Sequence, residues 1–350
     1  MKTEWKEFLE NAGAIIEDGI VVHFGNRERE RQVAMAGEVI ADLSHYGLIA
    51  AHGEEAETFL QGQFCNDVRK VDEHSSQISG YCSPKGRLLS IFRMFKIKDT
   101  YYLLIPHELI EETLKRLRMF ILISKVTLED ADNAMTRIGF SGPDADKRLK
   151  EILGKAPEQD NAVIHTDNVT VMRIPGPCSR FIILGDVESI KNIWSKLDVH
   201  AAPVGFQPWG QLDIQAGIPQ VYSQTVDAFV PQMVNMQVIE GVSFKKGCYT
   251  GQEVVARMQY LGKLKRRMYK ANVKTDEPVM PGDNLFAAGD TSGQGTGKIV
   301  SAHPSDSGGY DVLAVIQIAS AEKSKIHLKD KNGPVLELTE LPYTLEEPTK

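Results

Sequence analysis

After about Lys263 the spacing of apolar residues changes, and that change constrains the fold more than any other feature of the chain. Downstream, short β-rich runs (Arg267–Val273, Lys298–His303, Val312–Ile318, Ile326–Leu328 and Val335–Leu338) are split by Gly, Pro, Asp and Asn. Residues of those types close turns, by tolerating positive φ, by presetting φ, or by bonding their own backbone. Short strands broken this often predict a small all-β barrel or sandwich.

Upstream the pattern is mixed. Strands are expected at Leu48–Ala51, Ser76–Cys82, Arg87–Ile97, Tyr101–Ile105, Met135–Phe140, Val169–Ile174 and Phe181–Leu184. Pro84-Lys85-Gly86 and Asp99 mark hairpin turns. Helical spacing follows Gly53 as far as Leu60, links Leu109, Leu114, Leu117 and Phe120, and covers 142–153, Val187–Leu197 and Trp209–Ala216. Strands and helices interspersed with hairpins make the class α+β rather than a doubly wound parallel sheet. At 350 residues the chain exceeds one hydrophobic core. The expected division is an α+β domain over 1–130, a second over 131–240, a junction segment over 241–262 and a β-barrel over 263–350. The first two are free to interleave.

The junction segment carries the chemistry. It reads Lys245-Lys246-Gly247-Cys248-Tyr249-Thr250-Gly251-Gln252-Glu253-Val254-Val255-Ala256-Arg257. Thr250 and Glu253 have capping-box spacing, which predicts a helix starting there with Cys248 just outside its positive end. With Lys245 and Lys246 alongside, that setting favours the thiolate, the nucleophilic and metal-binding form. Glu253 and Arg257 are spaced for an i, i+4 ion pair. Gly247 and Gly251 are expected to serve the turn into the helix. The competing reading makes Cys248 a small core residue, as free cysteines often are.

Other features narrow the classes. Net charge is −7 and opposes a broad nucleic-acid-coating surface, although Lys263, Lys265, Arg266, Arg267 and Lys270 cluster and could meet RNA phosphates or form a solvated strand face. No apolar run approaches the roughly 20 residues of a membrane span, and Met1–Glu10 lacks a secretory apolar core. A cytoplasmic protein with no membrane partner is expected. The four cysteines (Cys65, Cys82, Cys178, Cys248) have no zinc-ligand spacing, and no stable metal is expected. Gly293-Gln294-Gly295-Thr296-Gly297-Lys298 fails as a phosphate loop, because Ser292 stands where Gly is required and Ile299 where Ser or Thr is needed. Tyr46 and Trp209 are either core aromatics or platforms for a planar ligand.

The segment from Phe244 to Glu253, followed by Ala256-Arg257, resembles the signature of the YgfZ folate-binding proteins, which share the fold superfamily of the glycine-cleavage T-protein, an aminomethyltransferase. Weaker pieces agree: Phe59-Leu60-Gln61-Gly62-Gln63 with Asp67-Val68, Pro84-Lys85-Gly86-Arg87, Phe229 to Gln237, and Leu341-Pro342-Tyr343 with Leu345-Glu346-Glu347. The resemblance spans about Asp42 to Glu347. It implies two α+β domains and a C-terminal barrel around a central cleft for tetrahydrofolate. It implies an accessory role in assembling or repairing iron-sulfur clusters in client enzymes, with tRNA modification supported indirectly. It places folate contacts at Tyr46, Trp209, Gln215, Asn235, Tyr249, Gln252 and Glu253, and a functional thiol at Cys248, held ionised by Lys246 and Arg257 and open to transient metal ligation. A departure stands at Ile214-Gln215-Ala216-Gly217, where relatives carry Glu; an amide still bonds a pterin edge but supplies no carboxylate. A folate-dependent aminomethyl or one-carbon transferase and an RNA-binding factor are the alternatives. If a reaction is catalysed at all, the resemblance implies one-carbon transfer.

Overall fold

The structure is a computed structural model that describes residues 1–166, 168–288 and 295–345. Part of the glycine-rich stretch at 293–298 and the Glu346-Glu347 match lie outside the described residues. The architecture is α+β with a closed C-terminal barrel. The chain forms two compact units. The first comprises Met1–Leu60, Val68–Ile78 and Phe92–Leu212; the second comprises Gln61–Asp67, Ser79–Ile91 and Asp213–Lys350.

The first unit is built on a six-stranded sheet in the order Val163–His165, Val169–Ile174, Arg180–Gly185, Thr136–Ser141, Val39–Asp42, Ala202–Val204, with only the last pair parallel. Its central strands are near-continuous apolar runs because both faces are covered. Phe181 and Ile183 point into one core; Ile182 and Leu184 point into the other. Phe140 and Ile138 follow the same two-residue alternation. The helices Thr3–Asn11, Ala145–Leu153 and Val187–Leu197 close the first face through Leu9, Leu149, Ile190 and Trp194. A second sheet has the strand order Gln77–Cys82, Leu88–Ile97, Thr100–Pro106, Tyr46–His52, Thr127–Asp130; its first two strands supply residues to both units.

The N-terminal segment has a structural role that its sequence did not announce. Trp5 and Leu9, one turn apart on the first helix, are buried against the sheet. The Trp5 ring meets Trp194 edge-on at 5.6 Å, and its indole N–H donates to the Asp42 carboxylate at 2.7 Å. Burial pushes the Asp42 pKa up, against the hydrogen bonds from Trp5 and Ser44 that hold it down. Asp42 therefore depends on those donors to stay compatible with the core. Removing a buried aromatic leaves a cavity, and here it also takes away one of the donors to the buried Asp42 carboxylate, leaving those of Ser44. Trp5→Ala should cost about 3–5 kcal/mol, read as a lowered urea midpoint with little change in slope.

The barrel of the second unit runs Arg266–Val273, Tyr310–Gln317, Gly297–Pro304, Asn284–Ala287, Ile326–Leu328, Val335–Thr339 and closes on the first strand. Asn284–Ala287 was missing from the expected strands, since four residues beside turn signals give no readable alternation. The run expected to end at Ile318 stops at Gln317, where a short helix, Ile318–Lys323, begins. No helix among the described residues is long and apolar enough to cross a membrane. On the third-named strand, burial lowers the His303 pKa to about 4, with Asp213 pulling the other way. An unfolded histidine titrates near 6.5. Above about 6.5 neither state binds this proton; between about 6.5 and 4 only the unfolded state does. Stability should therefore fall as pH drops through that window and level off below it for this group. His303→Gln should flatten that segment of the pH–stability curve measured by denaturant titration.

Candidate functional site

Three separated stretches of the second unit meet around the cysteine motif. Lys246 is buried, and its ammonium donates to the Phe64 carbonyl and to the Gln61 carbonyl, the latter at 2.7 Å. The same ammonium sits 5.0 Å from the centre of the buried Tyr249 ring. A buried cation needs such partners to offset lost hydration, and a carbonyl pair with an aromatic face supplies them. Lys246 thus works as an internal anchor for its loop rather than as a surface charge beside Cys248. Cys248, two residues on, is exposed. Between two buried neighbours in sequence, Lys246 and Tyr249, the chain is pushed outward at Gly247-Cys248.

The helix runs Gln252–Tyr260, and its cap is Gly251 rather than Thr250; no side chain caps it. The expected capping box does not form. Backbone packing decides the matter. Gly251 adopts φ +83°, and a Cβ there would lie 2.4 Å from the Ser83 carbonyl oxygen and 2.9 Å from Gly86 Cα. Gly86 is itself at φ +69° and would clash with Val254. The two glycines permit a backbone contact between the Pro84–Arg87 turn and the helix start. That turn is fastened in addition to residues 227–229: Ser83 Oγ donates to Asp227 at 2.8 Å, Arg87 to the Ala228 carbonyl at 2.7 Å, and the Leu88 amide to the Phe229 carbonyl at 2.7 Å. Gly247 has open space around it and needs no special φ, contrary to the paired role expected of the two glycines. Nor is the Glu253–Arg257 ion pair present among the described residues; both side chains are exposed, where such a pair gains little.

Beneath the loop lies a feature that spacing could not reveal. Cys65 and Cys82, both fully buried, hydrogen-bond to each other. Burial opposes ionisation of Cys65, but the Cys82 hydrogen bond, the Gly80 amide and the Lys246 charge outweigh it and lower its pKa. Cys82 is pushed well above its ordinary value by that same bond and by burial. The Tyr249 hydroxyl is raised by burial and by the two thiols. Cysteines seventeen positions apart give no local signal; the strand pairing of Phe64 with Tyr81 brings them together.

The remaining expected contacts divide between the units. In the second, Asn235 is buried at φ +60° and donates to the Met268 carbonyl at 3.0 Å. Gln215 accepts from Lys270 at 3.0 Å and donates to Asp311 at 3.2 Å. Only an amide satisfies both partners, because a carboxylate could not donate to Asp311. The Gln252 backbone N–H donates to the Tyr249 carbonyl at 3.1 Å. In the first unit, Tyr46 packs on the core that contains Trp209. Trp209 is 1% exposed, with the Arg180 guanidinium 4.2 Å from its ring centre and Gly139 so close that a Cβ would fall 2.5 Å from the indole. The indole has no open face within its unit, whereas Tyr46 is half-buried.

The geometry separates the roles of the motif residues in a melting experiment. Gly251→Ala should lower the melting temperature by several degrees, through strain at positive φ and the clash with Ser83. Gly247→Ala and Cys248→Ala, at open and exposed positions, should each shift stability by less than about 0.5 kcal/mol.

Comparison with known proteins agrees with this architecture. Residues 20–211 match the family model of the GCVT N-terminal domain. Over 307 residues the chain is 32% identical to the tRNA-modifying protein YgfZ of Colwellia psychrerythraea, covering 87% of this chain and 93% of that protein. The crystal structure of the glycine cleavage system aminomethyltransferase T from Bartonella henselae superposes with a TM-score of 0.75 over 96% of each chain at 17% identity, a likeness of fold. A shared domain over more than half the chain, and close to a third of residues identical along nearly the whole length, place it in one lineage: the chain belongs to the YgfZ family, within the group that carries the GCVT N-terminal domain.

Proposed function

We propose that this protein is a folate-binding accessory factor that helps assemble or repair iron-sulfur clusters in client enzymes, and through them supports tRNA modification. The observation that carries the reading is the presentation of Cys248: an exposed thiol on a loop anchored from below by the buried Lys246 ammonium and closed by the Gly86–Gly251 contact. A thiol that served packing would be inside, as Cys65 and Cys82 are. Presented outward, Cys248 can meet a sulfur or iron centre of a client. No group of three or more His, Cys, Asp or Glu among the described residues is arranged to hold a metal. In this reading the cluster is cargo and Cys248 a transient ligand.

Folate binding rests on the family resemblance and on the donor set. Gln232, buried, donates through Nε2 to the Val255 carbonyl at 2.7 Å and leaves Oε1 without a partner; Gln237 Oε1 is likewise buried and unpaired. Unpaired buried acceptors fit the N–H donors of a pterin ring. Both lie in or beside the Phe229–Gln237 stretch that resembles the family. Bound tetrahydrofolate would supply a one-carbon carrier. In the first unit the half-buried Tyr46 is the candidate aromatic contact; in the second, Asn235, Gln252, Glu253 and the loop at Tyr249 are the candidate polar contacts. Gln215, engaged by Lys270 and Asp311, would act by holding Asp311 in place.

Loss of the gene should lower the activities of iron-sulfur enzymes; restoring the wild-type chain should recover them and Cys248→Ala should not. Tyr46→Ala should weaken tetrahydrofolate binding by about fivefold, the loss of one aromatic contact of roughly 1 kcal/mol, with Tyr46→Phe close to wild type. Full recovery by Cys248→Ala would remove the thiol from the function. Aminomethyl transfer by the purified protein would favour the one-carbon transferase reading that the fold likeness also allows.

A further inference from the structure

Beyond the folate and thiol reading, the second unit carries a surface that neither explains. From 257 to 270 the chain has six cations (Arg257, Lys263, Lys265, Arg266, Arg267, Lys270) and no carboxylate, within a protein of net charge −7. Two of the six are engaged by neutral partners: Arg266 donates to the Gly295 carbonyl and Lys270 to Gln215. Arg257, Lys263 and Lys265, with Lys245 of the thiol loop, are exposed and make no side-chain hydrogen bond or ion pair among the described residues. Carboxylates also stand beside this stretch: Glu253 on the helix itself, Glu322, whose charge acts on Tyr269, and Glu340, next to the Thr339 that pairs with Lys270. Cations left without counterions on an acidic protein imply an anionic partner.

The same surface exposes a ring. Tyr260 ends the Gln252–Tyr260 helix at 67% exposure, followed by Leu261 at 85%. Phe244 holds Tyr260 edge-to-face at 6.2 Å, so the ring stands in a set position. Arg257 and Tyr260 are i, i+3 on the helix and share its face. An oriented ring among unpaired cations suits unstacked bases joined by phosphates, whereas an acidic polypeptide would use the charge but not the ring face.

We propose that the face formed by Arg257, Tyr260, Lys263 and Lys265 binds RNA, with lysine and arginine on phosphates and Tyr260 stacked on an unpaired base. This does not depend on the folate reading or on Cys248. The test uses the full-length protein and an unmodified tRNA transcript, with binding followed against potassium chloride concentration. Three phosphate contacts should give a log–log salt slope of about 2 to 3, or roughly a twenty- to forty-fold loss of affinity between about 50 and 200 mM. The double variant Lys263→Ala/Lys265→Ala should reduce that slope by between 1 and 2. Tyr260→Ala should weaken binding about tenfold, and Tyr260→Phe should restore it. Failure to bind the transcript at low salt, wild-type binding by both variants, or equal competition by a glutamate-rich polypeptide would overturn the assignment; the last would point to an acidic protein as occupant. Rescue of iron-sulfur enzyme activity by the Tyr260 and lysine variants is a separate readout, so loss of RNA binding leaves the thiol proposal standing.

Discussion

The buried ammonium of Lys246 is the interaction on which the second unit's site depends. Dehydrating a lysine is unfavourable unless its protons find acceptors, and here two main-chain carbonyls from 61–64 and the Tyr249 ring take that role. Because Phe64 directly precedes Cys65, one cation ties the thiol loop to the segment that carries one member of the buried thiol pair. The loop has no regular secondary structure of its own. Its shape comes from this anchor at one end and from the glycine–glycine contact with the 84–87 turn at the other.

That arrangement joins stretches of chain that are far apart in sequence. Residues 61–67 and 79–91 leave the N-terminal part of the chain to pack with residues after 213. The weak motif pieces of the sequence are the places where these stretches touch. Pro84-Lys85-Gly86-Arg87 is fastened to 227–229 and abuts Gly251, and Gln232 bonds the carbonyl of Val255 in the next helix. Each piece looks undistinguished alone because its partner is elsewhere in the chain.

Charge is distributed in keeping with this division of labour. The one buried lysine of the motif is consumed by structure, while its neighbour Lys245 and the cations after Arg257 remain at the surface. At Gln215 a similar economy holds. Its amide lets one side chain accept from Lys270 and donate to Asp311, which places a neutral link between that cation and that carboxylate.

Much of the fold was legible in the sequence because hydrophobic periodicity is a local property. Val169–Ile174 and Val187–Leu197 appear with the expected bounds, and the shift to short turn-bounded strands announced the barrel. The family signature from Phe244 to Glu253 was legible too, as was the turn role of Gly251. Tertiary structure alone decided that Gly251 rather than Thr250 caps the helix, that Lys246 faces inward and Cys248 outward, and that Trp209 lies under Arg180. It alone made Trp5 and Leu9 part of the core, and it alone brought Cys65 to Cys82. The reason is common to all of these. Which way a side chain faces, and whether a cap bond forms, depends on what backbone arrives from a distant stretch, and a one-dimensional pattern records the residue but not its visitor.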